Sequence, residues 1–93
     1  MPKQGTDLTK LRKQIFIVDN TILSALAKRI HIVERIGAYK RAYHIKPLNA
    51  KLRDQRINEW IERGRRLGLS KKFVVAIYKI IHDHSVSVEK KSL

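Results

Sequence analysis

Seven residues of this chain put a charge or a polar group at or beside positions where its helices would carry apolar side chains: Arg12, Arg29, Lys40, Arg53, Asp54, Ser85 and Glu89. Arg29 and Lys40 are 11 residues apart. On a helix turning 100° per residue that is an offset of about 20°, so they share a face roughly 16 Å apart. Arg12 precedes Arg29 by 17 residues, which places it roughly 100° around the helix. It cannot easily serve the same pocket in one subunit, but in an intertwined dimer it reaches the partner's pocket. Arg53 continues the row Ile57, Trp60, Gly64 and Leu67, with Asp54 beside it. Ser85 and Glu89 follow Ile81 at four-residue steps, so a hydroxyl and a carboxyl extend an apolar row. Taken singly, each has an ordinary explanation. A long cationic side chain at a seam edge carries its head into water, Ser85 is a small helix residue, and Glu89 is an exposed acid near a chain end. Taken together, four cations and two polar groups on the inner faces of three helices are costly without a bound anion.

Those residues need long helices to carry them, and the sequence predicts three. From about Leu8 to Tyr43, the apolar residues Leu11, Ile15, Val18, Ile22, Ala25, Ile32 and Ile36 fall alternately four and three apart, with Arg29 at the missing step. This is heptad spacing, and Gly37 is its single tolerable interruption. About 36 residues make a rod of roughly 54 Å, against a radius of gyration near 12 Å for a compact chain of this size. The exposed stripe of such a rod calls for a second chain, which predicts a helical homodimer. Residues 1–7 read as a disordered lead-in with Asp7 or Thr9 as helix cap. His44–Pro47 reads as a connector. A second helix follows from Leu48, with Leu52, Ile57, Trp60, Ile61 and Leu67 inward and Gly68 as its C-terminal glycine. Ser70 caps a third helix, with Phe73, Val74, Ile77, Ile80, Ile81 and Val88 inward, and residues 90–93 fray. The expectation is one all-α domain over residues 1–93.

Composition narrows the partners. Lysine and arginine number 21 against 8 acids, a formal charge of +13, which favours nucleic acid, an acidic membrane face or a small polyanion. No cysteine is present, so disulfides and thiolate metal sites are excluded. Neither a secretory signal nor a run of 18 apolar residues occurs, so no membrane partner is expected and the cytoplasm is the default location. No metal is expected either: within His82-Asp83-His84, residues two apart on a helix face away from each other. The run Glu62–Lys72, E-R-G-R-R-L-G-L-S-K-K, resembles a helix-turn-helix corner. The basic residues are spread over all three helices, however, which disfavours nucleic acid.

The segments L-R-K-Q-I-x-x-x-D-x-x-I-L-x-x-L-A-K-R (Leu11–Arg29), I-G-x-x-K (Ile36–Lys40), R-D-Q-R (Arg53–Arg56) and S-V-S-V-E (Ser85–Glu89) resemble the all-helical chorismate mutase family. The resemblance spans about Leu8 to Glu89. It implies an intertwined dimer of three-helix subunits with two active sites, each lined mainly by one subunit and completed by the other. Position by position, it implies that Arg12 is lent across the dimer and that Arg29 acts within the subunit, both gripping substrate carboxylates. It further implies that Lys40 donates to the ether oxygen of the breaking bond, with Glu89 facing that oxygen from the other side. Arg53 would extend the cationic wall, Asp54 receive the ring hydroxyl, and Ser85 help hold a carboxylate.

The implied chemistry accounts for the residue types. Chorismate is a dianion whose Claisen rearrangement to prephenate, in aromatic amino acid biosynthesis, is pericyclic and needs no nucleophile, metal or redox cofactor. The protein must fold the enolpyruvyl arm over the ring, a task suited to bidentate arginines. It must also stabilise negative charge growing on the ether oxygen, a task for a lysine and a second donor. Glu89 can donate only when protonated. Burial raises a carboxyl pKa and neighbouring cations lower it. Relatives within the family eliminate pyruvate from isochorismate to leave salicylate, or rearrange 4-amino-4-deoxychorismate, and the same cationic pocket suits all three substrates.

Overall fold

The computed structural model describes residues 4–46 and 50–91, and all three elements among them are α-helices: α1 (Gln4–Ala42), α2 (Ala50–Arg66) and α3 (Lys71–Lys91). The expected all-α, three-helix chain is what the structure contains. The start expected at Leu48 lies outside the described residues. Helix α1 begins at Gln4, earlier than expected, so residues 4–7 are helical rather than a disordered lead-in. Asp7 then lies in the first turn instead of capping it, where a carboxylate opposes the positive end of the helix dipole. At the other end, α3 includes Lys90 and Lys91, which were expected to fray; the rest of the two terminal segments, residues 1–3 and 92–93, lies outside the described residues. No described helix is long and apolar enough to cross a membrane.

Two helix ends are closed by the same device. After α2, Leu69 N donates to Gly64 O (2.8 Å) and Gly68 N to Arg65 O (3.1 Å), a Schellman pair. Gly68 takes φ +83°, a conformation that glycine adopts without a Cβ clash. After α1, Ile45 N donates to Lys40 O (2.9 Å) and His44 N to Arg41 O (3.4 Å). His44 holds φ +53° there without being glycine. Lys40 and Arg41 thus stand in the last turn of α1, where cations complement the dipole. Ser70 caps α3 as its sequence predicts: its Oγ accepts from Phe73 N at 3.2 Å.

The chain forms two compact units, residues 1–32 and 33–93. In the first, α1 is exposed along most of its length; Leu11, Ile15, Val18 and Ile22 are all more than half exposed. In the second unit, Val33, Val74 and Tyr78 form the buried apolar core. Trp60 meets Tyr78 edge to face at 5.1 Å, and His82 stacks on Tyr78 at 5.6 Å. Gly64 lets α2 and α3 approach, because a Cβ there would lie 2.6 Å from Val74 Cγ2.

Several expected inward positions are corrected. Leu67, Phe73 and Ile80 are exposed, as is Leu52 at 38%. Leu67 follows the last residue of α2 and belongs to its closing turn, so the helical row of Ile57, Trp60 and Gly64 does not reach it. Phe73 and Ile80 flank the buried Val74 and Tyr78, which hold the inner face of α3. In α1 the buried positions are Val33 and Gly37, whereas Ile32 and Ile36 are exposed. Within the second unit, the buried face of α1 is therefore one residue round from the heptad seam.

Candidate active site

In the second unit, the end of α1 and the end of α3 bring together two of the chemistry-bearing residues. Lys40 Nζ donates to Glu89 Oε1 at 2.9 Å, across 49 residues of chain. Their side chains are 22% and 27% exposed. A lysine and a glutamate meeting in a shielded place form a charge-assisted hydrogen bond, and both heads remain reachable from solvent. On α3, Ser85 lies one turn before Glu89 and is buried at 6%. Its Oγ donates to Ile81 O at 2.8 Å, back along its own helix.

Three contacts converge on Glu89 from a single turn of α1. Besides the Lys40 bond, Arg41 Nη1 donates to Glu89 O at 3.4 Å. Gly37 faces the Glu89 backbone, where an added Cβ would stand 3.3 Å from both Glu89 Cα and O. Positions i, i+3 and i+4 of a helix share a face, and Gly37, Lys40 and Arg41 are spaced in that way. Reading Gly37 as a tolerated interruption missed this role. The signal available was its three-residue spacing from Lys40.

The remaining candidates are placed as follows. Arg12 is exposed and Arg29 half-buried, both in the first unit. Arg53 and Asp54 are exposed on the first turns of α2, and the structure records a loose contact between them, Arg53 Nε to Asp54 Oδ1 at 4.0 Å, with side chains 52% and 71% exposed. At the other end of α2, Glu62 accepts from Arg65 (2.8 and 3.1 Å) and Arg66 (3.3 Å). The Arg65 guanidinium, with help from Arg66, holds the Glu62 carboxyl below its usual range. Two arginines of the basic corner are thus turned onto a neighbour of their own helix.

The end of α1 and the end of α3 set a lysine and a carboxyl head to head, and the sequence around them decides the family. The family model for chorismate mutase type II matches residues 11–90, nearly the whole chain. This chain belongs to the type II chorismate mutase family. The match includes every candidate site residue from Arg12 to Glu89. No significant match was found among curated proteins or among solved structures.

Proposed function

We propose that this protein is a chorismate mutase, working as a homodimer with one chorismate mutase domain per chain, and that it converts chorismate to prephenate. The observation that carries this reading is the meeting of Lys40 Nζ and Glu89 Oε1 at 2.9 Å. The ether oxygen of chorismate takes the place of this mutual hydrogen bond and accepts from Lys40 Nζ and from Glu89 in its protonated form. As the carbon–oxygen bond breaks, charge builds on that oxygen. Donors already fixed there by two helices stabilise it without reorganising at the moment of reaction. Arg29 and the partner subunit's Arg12 hold the two substrate carboxylates, folding the enolpyruvyl arm over the ring. Arg53 adds positive potential at the mouth, Asp54 receives the ring hydroxyl, and Ser85 supports a carboxylate. No bond to the protein forms in this scheme.

Support for the dimer comes from the first 32 residues. An apolar helix face exposed along Leu11, Ile15, Val18 and Ile22 is the kind of surface that a second copy of the same helix covers. The shared site has a specific consequence. Arg12→Ala and Lys40→Ala homodimers are each nearly inactive. When the two variants are unfolded together and refolded as an equal mixture, half the dimers are mixed, and each mixed dimer carries one intact site of two. About a quarter of wild-type activity then returns, a proportion fixed by the two-fold symmetry. Recovery of none would show that Arg12 and Lys40 act within one chain.

A further inference from the structure

The three contacts on Glu89 have unequal meaning for a reaction at its carboxyl. Lys40 meets the side chain. Arg41 meets the main chain, donating from Nη1 to Glu89 O at 3.4 Å. Glu89 lies in the last described turn of α3 (Lys71–Lys91). A cation that bonds a main-chain carbonyl there complements the negative end of the helix dipole. Gly37 makes the approach possible. An added Cβ would stand 3.3 Å from Glu89 Cα, Glu89 O and Arg41 Nη1 alike, closer than ordinary van der Waals contact to all three.

We infer that Arg41, seated over Gly37, is a positioning residue that fixes the last turn of α3 so that the Glu89 carboxyl stays opposite Lys40. This rests on the chorismate mutase reading for its consequence in catalysis, but its structural content stands apart from it. Arg41 is half-buried against the main chain of α3. Its guanidinium therefore serves geometry rather than the general attraction of a dianion. Glu89 needs this help because it lies in the last described turn of α3, and the terminal turns of a helix open most readily. A misplacement of about 1 Å in a catalytic group is enough to lower a rate severely.

The test uses the full-length variants Arg41→Met and Arg41→Lys. Arg41→Met keeps an apolar stem and removes both charge and donors; Arg41→Lys restores a cationic donor. Arg41→Met is expected to lower kcat for chorismate by about tenfold with KM little changed, the pattern of a group that acts on the transition state. Amide hydrogen exchange at residues 88–90 is expected to speed up by about tenfold, while exchange at Tyr78 stays as in the wild type. Arg41→Lys is expected to recover most of both. If Arg41→Met fails to fold, Gly37→Ala tests the same seat with the arginine intact, and the same fall in kcat with faster exchange at 88–90 is expected. Unchanged kcat, a loss confined to KM, or unchanged exchange at 88–90 would overturn the inference. If the wild-type protein leaves chorismate untouched, the functional reading fails by itself, and the exchange result alone then decides whether Arg41 fixes the helix end.

Discussion

Lys40→Ala is expected to lower kcat/KM for chorismate by at least about 10²-fold, the scale seen when one preorganised donor to a developing oxyanion is removed. The loss should appear in kcat and kcat/KM together, because the interaction is made more strongly in the transition state than in the bound substrate. In the unliganded protein Lys40 is bonded to Glu89 at 2.9 Å. The alanine variant therefore also leaves Glu89 without that partner, and a thermal melt should accompany the kinetics to separate loss of fold from loss of chemistry. Each side chain is roughly a quarter exposed, so water can replace much of what the carboxylate loses, and the helical fold is expected to persist. Steady-state rates that match wild type would remove Lys40 from the ether oxygen. A rise in KM with kcat intact would make it a binding residue only.

Glu89→Gln is expected to keep chorismate turnover, whereas Glu89→Ala is expected to lower kcat/KM by at least about 10²-fold. The sign follows from the chemistry of the donor. A carboxylate has only lone pairs to offer, so it repels a developing oxyanion; a carboxylic acid or a glutamine amide donates to it. Glutamine keeps an N–H donor of similar reach opposite Lys40, and alanine leaves that side of the ether oxygen without one. Steady-state rates for Glu89→Ala that match wild type would remove residue 89 from the ether oxygen.

The parts of this architecture legible in the sequence are those governed by local rules. The three-to-four spacing of apolar residues identified three helices. Ser70 showed its role as a cap by residue type and place, and Gly68 showed its own as a turn former, because both act within a few residues of themselves. The face of each helix that turns inward was harder to read. In the part of α1 that belongs to the second unit, Val33 and Gly37 are buried and Ile36 is exposed. A helix whose apolar residues exceed one stripe offers two faces for two partners, and hydrophobicity does not say which partner takes which face. The heptad seam of α1 lies exposed. Phe73 and Ile80 illustrate the same ambiguity on α3, where the aromatic contact of Trp60 with Tyr78 selects the face.

The site was legible unevenly for the same reason. Lys40 and Glu89 were marked by polar types on apolar rows, and the structure brings their heads together. Arg41 was invisible because its contact is with a main-chain carbonyl, a partner that every residue possesses and no residue type announces. Ser85 occupies a buried place as its row implied, with its hydroxyl turned to Ile81 O. The role proposed for Arg12 depends on a second chain beside the first.

Product identity from separate incubations of the purified protein with chorismate and with isochorismate, read by chromatography, tests the central claim most directly. The expected result is prephenate from chorismate at a rate that saturates with substrate and is lost in Lys40→Ala. Salicylate and pyruvate from isochorismate, with chorismate left intact, would contradict it and assign the same pocket to pyruvate elimination. Turnover of neither compound would contradict both.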